Sequence, residues 1–212
     1  MYTGSPLQAA ATPTPRLSLT HGQVAWSLCA GRAADQRTLD CLRYLRQVGI
    51  PFTEEEQTVG RGNRLNYNFD HLIECAVALY AVRRGTKPRQ AAAFLVADRK
   101  TLRELYRQAY RDIPPEAYDA TWVKSAGRII PTIADEQYLR VHDRYADTNG
   151  RIQSMTLDES ISFKAGVSDL VEHHSDAVYA LVPLKRVITE TLAWARVAPV
   201  TPPGRPSRKP AA

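Results

Sequence analysis

Two helix-like segments enclose a short stretch rich in glycine and arginine, and this arrangement constrains the fold more than any other feature of the chain. The first segment, residues 38–47, is stopped by Gly49. The enclosed residues 60–64 read Gly-Arg-Gly-Asn-Arg, which is typical of a tight turn because Gly and Asn tolerate positive φ. The second segment, residues 71–84, is strongly apolar and is stopped by Gly85. The sequence therefore predicts a helix, a basic hairpin and a second helix.

The first of these segments belongs to a helix with two different edges. Asp35 can cap its start, and Thr20 can cap a preceding helix over residues 21–30. One edge is apolar, with residues at intervals of three: Leu39, Leu42, Leu45 and Val48. Polar residues fall off that stripe: Arg37, Arg43, Arg46 and Gln47. An amphipathic helix with an arginine-rich exposed edge suits the major groove of DNA, whereas an ordinary surface helix with solvated arginines is the alternative interpretation.

The hairpin is predicted to project basic side chains from its tip. Residues 52–59 are expected to be extended, and residues 65–67 are expected to form the returning strand. Arg61, Asn63 and Arg64 at the tip, with Tyr67 nearby, suit contacts to phosphates and to the minor groove. A solvated hairpin turn is the alternative.

Three further helices are predicted before residue 114. Asn68 or Asp70 can cap the first, through residue 84; Pro88 opens the second, which ends near residue 97. The third begins at Asp98 or Thr101 and ends at Pro114. It carries five basic residues: Arg99, Lys100, Arg103, Arg107 and Arg111. A solvated basic face is the preferred interpretation of these, and a second phosphate-binding face is the alternative.

The charge of the chain is concentrated in the same region. The formal net charge of the 212 residues is +6. Residues 32–111 carry 15 Lys or Arg and nine Asp or Glu, so the whole excess of positive charge lies there. A basic excess favours an anionic partner, and nucleic acid before a membrane surface.

With these motifs identified, residues 19–95 resemble the MerR-type winged helix-turn-helix. Thr38-Leu39 and Gly49-Ile50-Pro51 are similar to the start and end of that family's recognition helix, and Arg64, Tyr67 and Asp70 are similar to its wing. The resemblance implies that Arg37, Thr38 and Arg43 lie at the major groove and that Arg61, Arg64 and Tyr67 hold the DNA backbone. It also implies a homodimer, although no long coiled-coil heptad follows.

The rest of the chain divides into three predicted parts. Residues 119–197 are expected to form a small α+β domain, with a helix through residue 143, a strand at 178–182 and a final helix from residue 184. This domain is expected to bind a small molecule or a protein, to mediate dimerisation, or to complete the fold. Residues 1–18 and 198–212 are predicted to be a disordered arm and a disordered basic tail.

Several classes of function find no support in the sequence. Cys29, Cys41 and Cys75 form no C-x-x-C pair and are interpreted as buried thiols of a reducing cytosol. His173 and His174 suggest a metal site, but neighbours on a helix point about 100° apart, so a solvated pair is the preferred interpretation. Nucleotide and hydrolase motifs are missing from the sequence, as are a signal peptide and a membrane span. We therefore expect no enzyme activity, cofactor or bound metal, and a cytoplasmic, nucleoid-associated protein.

Taken together, the sequence predicts a mostly α, α+β protein in which a winged helix-turn-helix (residues 19–112) precedes the small α+β domain. The expected function is that of a bacterial-type transcription regulator, a homodimer that binds double-stranded DNA sequence-specifically. The alternative is a winged-helix module for protein interaction or for architectural DNA binding, since fold alone does not fix function.

Overall fold

The computed structural model of the protein describes residues 13–57, 65–114, 138–142 and 179–200. Within these ranges the chain is mostly helical, with one small antiparallel sheet. The elements in chain order are α1 (His21–Leu28), α2 (Gln36–Gln47), α3 (Glu54–Gln57), α4 (Phe69–Arg83), α5 (Pro88–Ala97), α6 (Arg99–Arg111), β1 (Tyr138–His142), β2 (Tyr179–Pro183) and α7 (Leu184–Arg196).

The predicted helix starts are confirmed because local capping residues determine them. The Thr20 hydroxyl accepts a hydrogen bond from the Gln23 amide, and the Gln23 side chain accepts one from the Thr20 amide at 2.9 Å. Asp35 accepts from the Thr38 amide at 2.8 Å at the start of α2. Asn68 caps α4, and Pro88 occupies the first turn of α5. The caps at Thr20, Asp35 and Asn68 each satisfy an amide that the first turn of a helix leaves without a partner.

Helix α4 is the centre of the core. Twelve of its 15 residues are buried, as the strongly apolar sequence predicted. Helices α2, α5, α6 and α7 pack around it, and α7 also contacts α1. The buried apolar residues of all these helices form one contiguous cluster.

The segment before the predicted hairpin differs from the prediction. Residues 54–57 form the short helix α3, not an extended strand. The reason is a local cap: Thr53 accepts from the Glu56 amide, and the Glu56 carboxylate accepts from the Thr53 amide at 2.8 Å. Tyr67 forms an antiparallel bridge, but its partner is Leu19 and not residues 52–57. The tip of the predicted hairpin, residues 58–64, lies outside the described residues.

The sheet confirms one predicted strand and corrects one predicted helix. β2 coincides with the strand predicted at residues 178–182, and the helix predicted after it is α7. Residues 138–142, expected to be helical, form β1 and pair with β2 in antiparallel register, with Leu139 opposite Val182. Pairing with a strand almost forty residues away overrides the local helical preference.

The described C-terminal elements share one hydrophobic core with the N-terminal helices. Leu139, Val182 and Ile188 belong to the same buried cluster as residues of α4 and α5. β1 packs on α5 and β2 packs on α4, so the described C-terminal elements complete the core of the N-terminal helices. None of the described helices is long and apolar enough to cross a membrane.

Candidate nucleic-acid interface

Helix α2 has one buried edge and one broad polar face, as its sequence predicted. Leu42 and Leu45 are buried, and Leu39 is half-buried. The exposed side chains of the helix are Gln36, Arg37, Asp40, Arg43, Tyr44, Arg46 and Gln47. This exposed set, the α2 face, contains three cations and one anion, and its amides and guanidinium groups can both hydrogen-bond to the edges of bases.

One acidic residue organises part of the α2 face. Asp40 Oδ1 accepts a hydrogen bond from Gln36 Nε2 at 2.8 Å and forms an ion pair with Arg43 Nη1 at 2.7 Å. The Arg43 and Asp40 side chains are 61% and 52% exposed, so water screens this pair and it can open at little cost. Arg37 and Arg46 form no ion pair within the part of the chain that the structure describes. The α2 face therefore presents a net positive charge to an incoming partner.

Thr38, which the resemblance implies lies at the major groove, does not belong to the exposed face. It is buried at the start of α2, where its amide donates to Asp35. The hydrogen bond from the Thr38 backbone lowers the pKa of Asp35, so the cap stays ionised. Thr38 thus fixes the start of the helix and is not available to read bases.

Tyr67, for which a contact with the DNA backbone is predicted, is also buried. Its ring packs edge-on against Phe52, with the centroids 4.8 Å apart, and its hydroxyl lies 3.0 Å from His21 Nδ1. Burial raises the pKa of Tyr67 to about 12, while the charge of Arg46 acts to lower it. Tyr67 therefore joins the N-terminus of α1 to the polar face of α2, a role that sequence reasoning did not find.

His71, in the first turn of α4, is a buried histidine. The Asn68 amide donates to His71 Nδ1 at 3.3 Å, so the neutral ring carries its proton on Nε2 and donates it to Glu56 at 3.2 Å. Burial lowers the pKa of His71, although Glu56 opposes this effect. Arg103 Nη1 lies 3.6 Å from the same Glu56 oxygen. α3 is thereby attached to α4 and α6, next to the start of residues 58–64.

Three arginines of α6 form ion pairs with acids of α4, which corrects part of the interpretation of that helix as a solvated basic face. Arg99 and Arg103 donate to the two carboxylate oxygens of Glu74, at 2.8 and 3.2 Å. Arg107 donates to Asp70 at 2.6 Å. Since both acids lie on α4, these contacts form an ion-pair ladder between α4 and α6. Arg99 and Arg103 are therefore not part of a solvated face. Arg107 is 40% exposed, and Lys100 and Arg111 are exposed, as the preferred interpretation expected.

The same ladder holds the C-terminal end of α2. Arg99 also donates to the carbonyl oxygen of Gly49, and Arg103 Nη2 donates to that of Pro51 at 2.7 Å. Burial raises the pKa of Glu74, and the two guanidinium groups oppose that effect. The orientation of the α2 face thus depends on charged groups that lie on α6.

The remaining candidate residues are placed as follows. Cys75 is buried as predicted, but Cys29 and Cys41 are only half-buried, and all three are free thiols. The described residues contain no group of three His, Cys, Asp or Glu side chains that could hold a metal ion. His173 and His174 lie outside those residues, as do Arg61, Asn63 and Arg64 of the predicted wing.

The connection between α1 and α2 bears on the predicted fold family. Seven residues, 29–35, separate the two helices, whereas a helix-turn-helix usually has a turn of three or four. Comparisons with protein-family models, with curated proteins and with solved structures find no match.

Proposed function

We propose that the protein binds double-stranded DNA sequence-specifically as a transcription regulator and inserts the α2 face into the major groove. The observation that carries this proposal is the α2 face, on which exposed arginine and glutamine side chains lie opposite the buried Leu42 and Leu45. Arginine recognises guanine through O6 and N7, and glutamine recognises adenine through N6 and N7. A helix of 12 residues is about 18 Å long, and the major groove, about 12 Å wide, admits an α-helix.

The distribution of ion pairs supports α2 as the binding element. Although α6 carries five basic residues, four of them are paired with acids of α3, α4 or α6 itself. On α2 only Arg43 is paired, and its partner is exposed. Arg37 and Arg46 of α2 therefore form no ion pair among the described residues. The same holds for four exposed cations around the end of α4 and the start of α5: Arg83, Arg84, Lys87 and Arg89.

The proposal assigns different roles to the arginines. Arg37 and Arg43 would contact base edges, and Arg43 would leave Asp40 to do so. Arg46 lies on the edge of α2 next to α1 and would contact the backbone. Arg61 and Arg64 would add backbone contacts from the wing, and a homodimer would read two related half-sites.

The test is a selection of duplexes from a random pool at about 150 mM salt, where non-specific binding is weak. We expect an enriched motif, with a repeat if the protein binds as a homodimer. On the selected duplex, Arg43→Gln should weaken binding by about 1–3 kcal/mol, which is the usual value of one bidentate base contact. The preference at one base position of the motif should relax as well.

The matched control is Arg111→Gln, which removes the same charge from α6. Arg111 lies 12 residues after Arg99, or about 18 Å further along that helix, and its partner Glu104 is exposed. This variant should keep both affinity and motif. Retention of duplexes without a motif would support architectural binding instead, and failure to retain any duplex would leave a protein-interaction module.

A further inference from the structure

A basic surface lies where α4 ends and α5 begins. Four of the seven residues 83–89 are cations, and all four are exposed. The chain from residue 75 to residue 97 contains no Asp or Glu, so these cations have no acid near them in sequence. They also form no ion pair among the residues that the structure describes. We name this surface the basic patch, and its members are Arg83, Arg84, Lys87 and Arg89.

The backbone that carries the basic patch is well fixed. The amides of residues 84–86 donate to carbonyl oxygens of the last turns of α4 at 3.0–3.2 Å, and Thr86 is buried. The guanidinium group of Arg84 is held as well, because it donates to the Tyr80 hydroxyl at 3.2 Å and lies 5.3 Å from the centroid of that ring. A ligand therefore meets cations on a preformed connection, which lowers the entropic cost of binding.

The basic patch lies on the side of the protein where α2 begins. Arg83 Nη1 donates to the carbonyl oxygen of Leu28, the last residue of α1, at 3.2 Å, and residues 29–35 lead from there to the first turn of α2. The opposite ends of α2 and α5 also meet, since a Cβ atom added at Gly49 would be 3.8 Å from Val96 Cγ2. The two packed helices thus begin on the side where Arg83 contacts the end of α1.

Two of the four cations lie where they are unfavourable for helix stability. Arg83 and Arg84 end α4, and basic residues at the C-terminus of a helix complement its dipole. Lys87 is the N-cap of α5 and Arg89 is its second residue, positions at which the dipole favours acids. Lys87 makes no side-chain cap, and the first turn of α5 contains no acid. Helix stability therefore does not account for these two cations, whereas binding of an anion does.

We propose that the basic patch binds backbone phosphates of the duplex, beside the groove that α2 enters. The inference rests on the proposed function, because a duplex held by the α2 face brings its phosphates to the patch. A recognition helix contacts bases mainly through its N-terminal residues, which is the end of α2 that the patch adjoins. Arginine and lysine bind phosphate oxygens through charge-assisted hydrogen bonds that carry no sequence information. The patch therefore adds affinity and orients α2, and the α2 face supplies specificity.

The release of counterions sets the size of the expected effect. Each contact between a cation and a phosphate changes the slope of log affinity against log salt concentration by about 0.9. Relative to 1 M salt, one contact of this kind corresponds to a change of about 5-fold in the dissociation constant at about 150 mM salt. A lost contact is thus visible both in the slope and in the affinity.

The experiment measures the dissociation constant of the selected duplex for the full-length protein between about 50 and about 200 mM salt. We expect Arg89→Gln to reduce the slope by about 0.9 and to weaken binding by about 5-fold at about 150 mM salt. Lys87→Gln combined with Arg89→Gln should reduce the slope by about 1.8. The motif that each variant selects should remain that of the wild type. Thermal unfolding should give midpoints no lower than that of the wild type, since both substitutions remove a cation from the start of a helix.

The matched control is Arg111→Gln, which removes the same charge from an exposed position at the other end of α4. Helix α6 runs antiparallel to α4, since Arg103 pairs with Glu74 and Arg107 pairs with Asp70. Arg111 therefore lies near the start of α4, whereas the basic patch lies at its end, about 22 Å away along a helix of 15 residues. The control should keep the wild-type slope and affinity.

A second readout alters the duplex and needs no variant for its first step. Neutral methylphosphonate groups replace the phosphates one at a time on both sides of the selected motif. We expect at least one replacement to weaken binding of the wild type and to have no further effect on Arg89→Gln, because both changes remove the same contact.

The possible outcomes separate the patch from the proposed function. An unchanged salt slope in both patch variants would overturn the phosphate contacts but not DNA binding, as would additive effects of Arg89→Gln and of every phosphate replacement. A changed motif in Arg89→Gln would also overturn the inference, since it would show that the patch reads bases. If the wild type retained no duplex, both the patch and the proposed function would be wrong.

Discussion

Gly31, in the turn after α1, packs against Trp194 of α7. Its φ is +75°, a conformation that residues with a side chain rarely adopt. The ring of Trp194 lies directly against it, and a Cβ atom added at Gly31 would be 2.1 Å from Trp194 Cζ3. Trp194 in turn packs edge-on against Trp26 of α1, with the centroids 5.5 Å apart. One glycine therefore permits the contact between α1 and α7.

Gly31→Ala should destabilise the protein by about 2–5 kcal/mol. Backbone strain at positive φ contributes about 1–2 kcal/mol, and displacement of the half-buried indole contributes about 1–3 kcal/mol. Gly85→Ala is the matched control, because Gly85 has φ of +108° but no atom within 4 Å of the added Cβ. Its cost should be the strain alone. Urea unfolding followed by circular dichroism measures both, and equal losses in the two variants would contradict the role of Trp194.

At the scale of elements, the ion-pair ladder joins α4 and α6 beside an apolar contact, in which the ring centroids of Phe69 and Tyr110 lie 5.4 Å apart. Glu74 is 2% exposed and receives hydrogen bonds from Arg99 and Arg103, which are 13% and 15% exposed. A buried ion pair of this kind adds little stability relative to apolar packing, but removal of one partner leaves uncompensated charge in the interior. The ladder therefore makes the register of α6 on α4 specific.

Glu74→Gln should accordingly cost about 3–5 kcal/mol, since two guanidinium groups lose their buried counter-charge. Glu104→Gln makes the same chemical change on α6, where the carboxylate is 58% exposed and pairs with Arg107 and Arg111. Exposed pairs are worth about 1 kcal/mol or less, so this control should change stability very little. Thermal unfolding of the two variants tests the difference, and similar midpoints would refute the view that burial decides the effect.

Local signals in the sequence predicted the helices well, and contacts between distant residues explain what they missed. Thr20, Asp35 and Asn68 identified helix starts because a cap acts within one turn. The spacing of Arg99, Arg103 and Arg107 indicated one face of a helix, but only the packing of α6 on α4 shows that this face is internal. Tertiary partners cannot be read from the periodicity of one helix.

The candidate site shows the same difference between local signals, which were predicted, and contacts between distant residues, which were not. The polar face of α2 was predicted because amphipathic spacing separates Arg37 and Arg43 from the buried leucines. The contact between His21 and Tyr67 was missed, since a histidine after a helix cap has no distinctive sequence signal. Tyr67 was misplaced because its bridge to Leu19 joins residues 48 positions apart. Sequence reasoning identified the surface of one helix but not the junction between elements.

At the scale of the whole molecule, the described residues share one core across the full length of the chain. Leu184, Ile188 and Leu192 of α7 are fully buried, and α7 packs against α1, α4 and α6. Removal of α7 would expose one side of each of these three helices. The region that carries the proposed DNA-binding face therefore depends on residues about 150 positions further along the chain.

We predict that a chain ending at residue 114 does not fold cooperatively, although it contains α1 to α6. Fully burying one leucine or isoleucine side chain stabilises by about 1.5–3 kcal/mol, so the loss of three exceeds about 4 kcal/mol, a large part of the total stability of a domain. A chain ending at residue 200 keeps α7 and is the matched control; it should unfold with the same midpoint as the full chain. Urea unfolding and amide hydrogen exchange distinguish the two. Cooperative unfolding of the shorter chain, with binding of the selected duplex retained, would establish the independent N-terminal domain that the sequence predicted and would show that α7 only covers a core already stable without it.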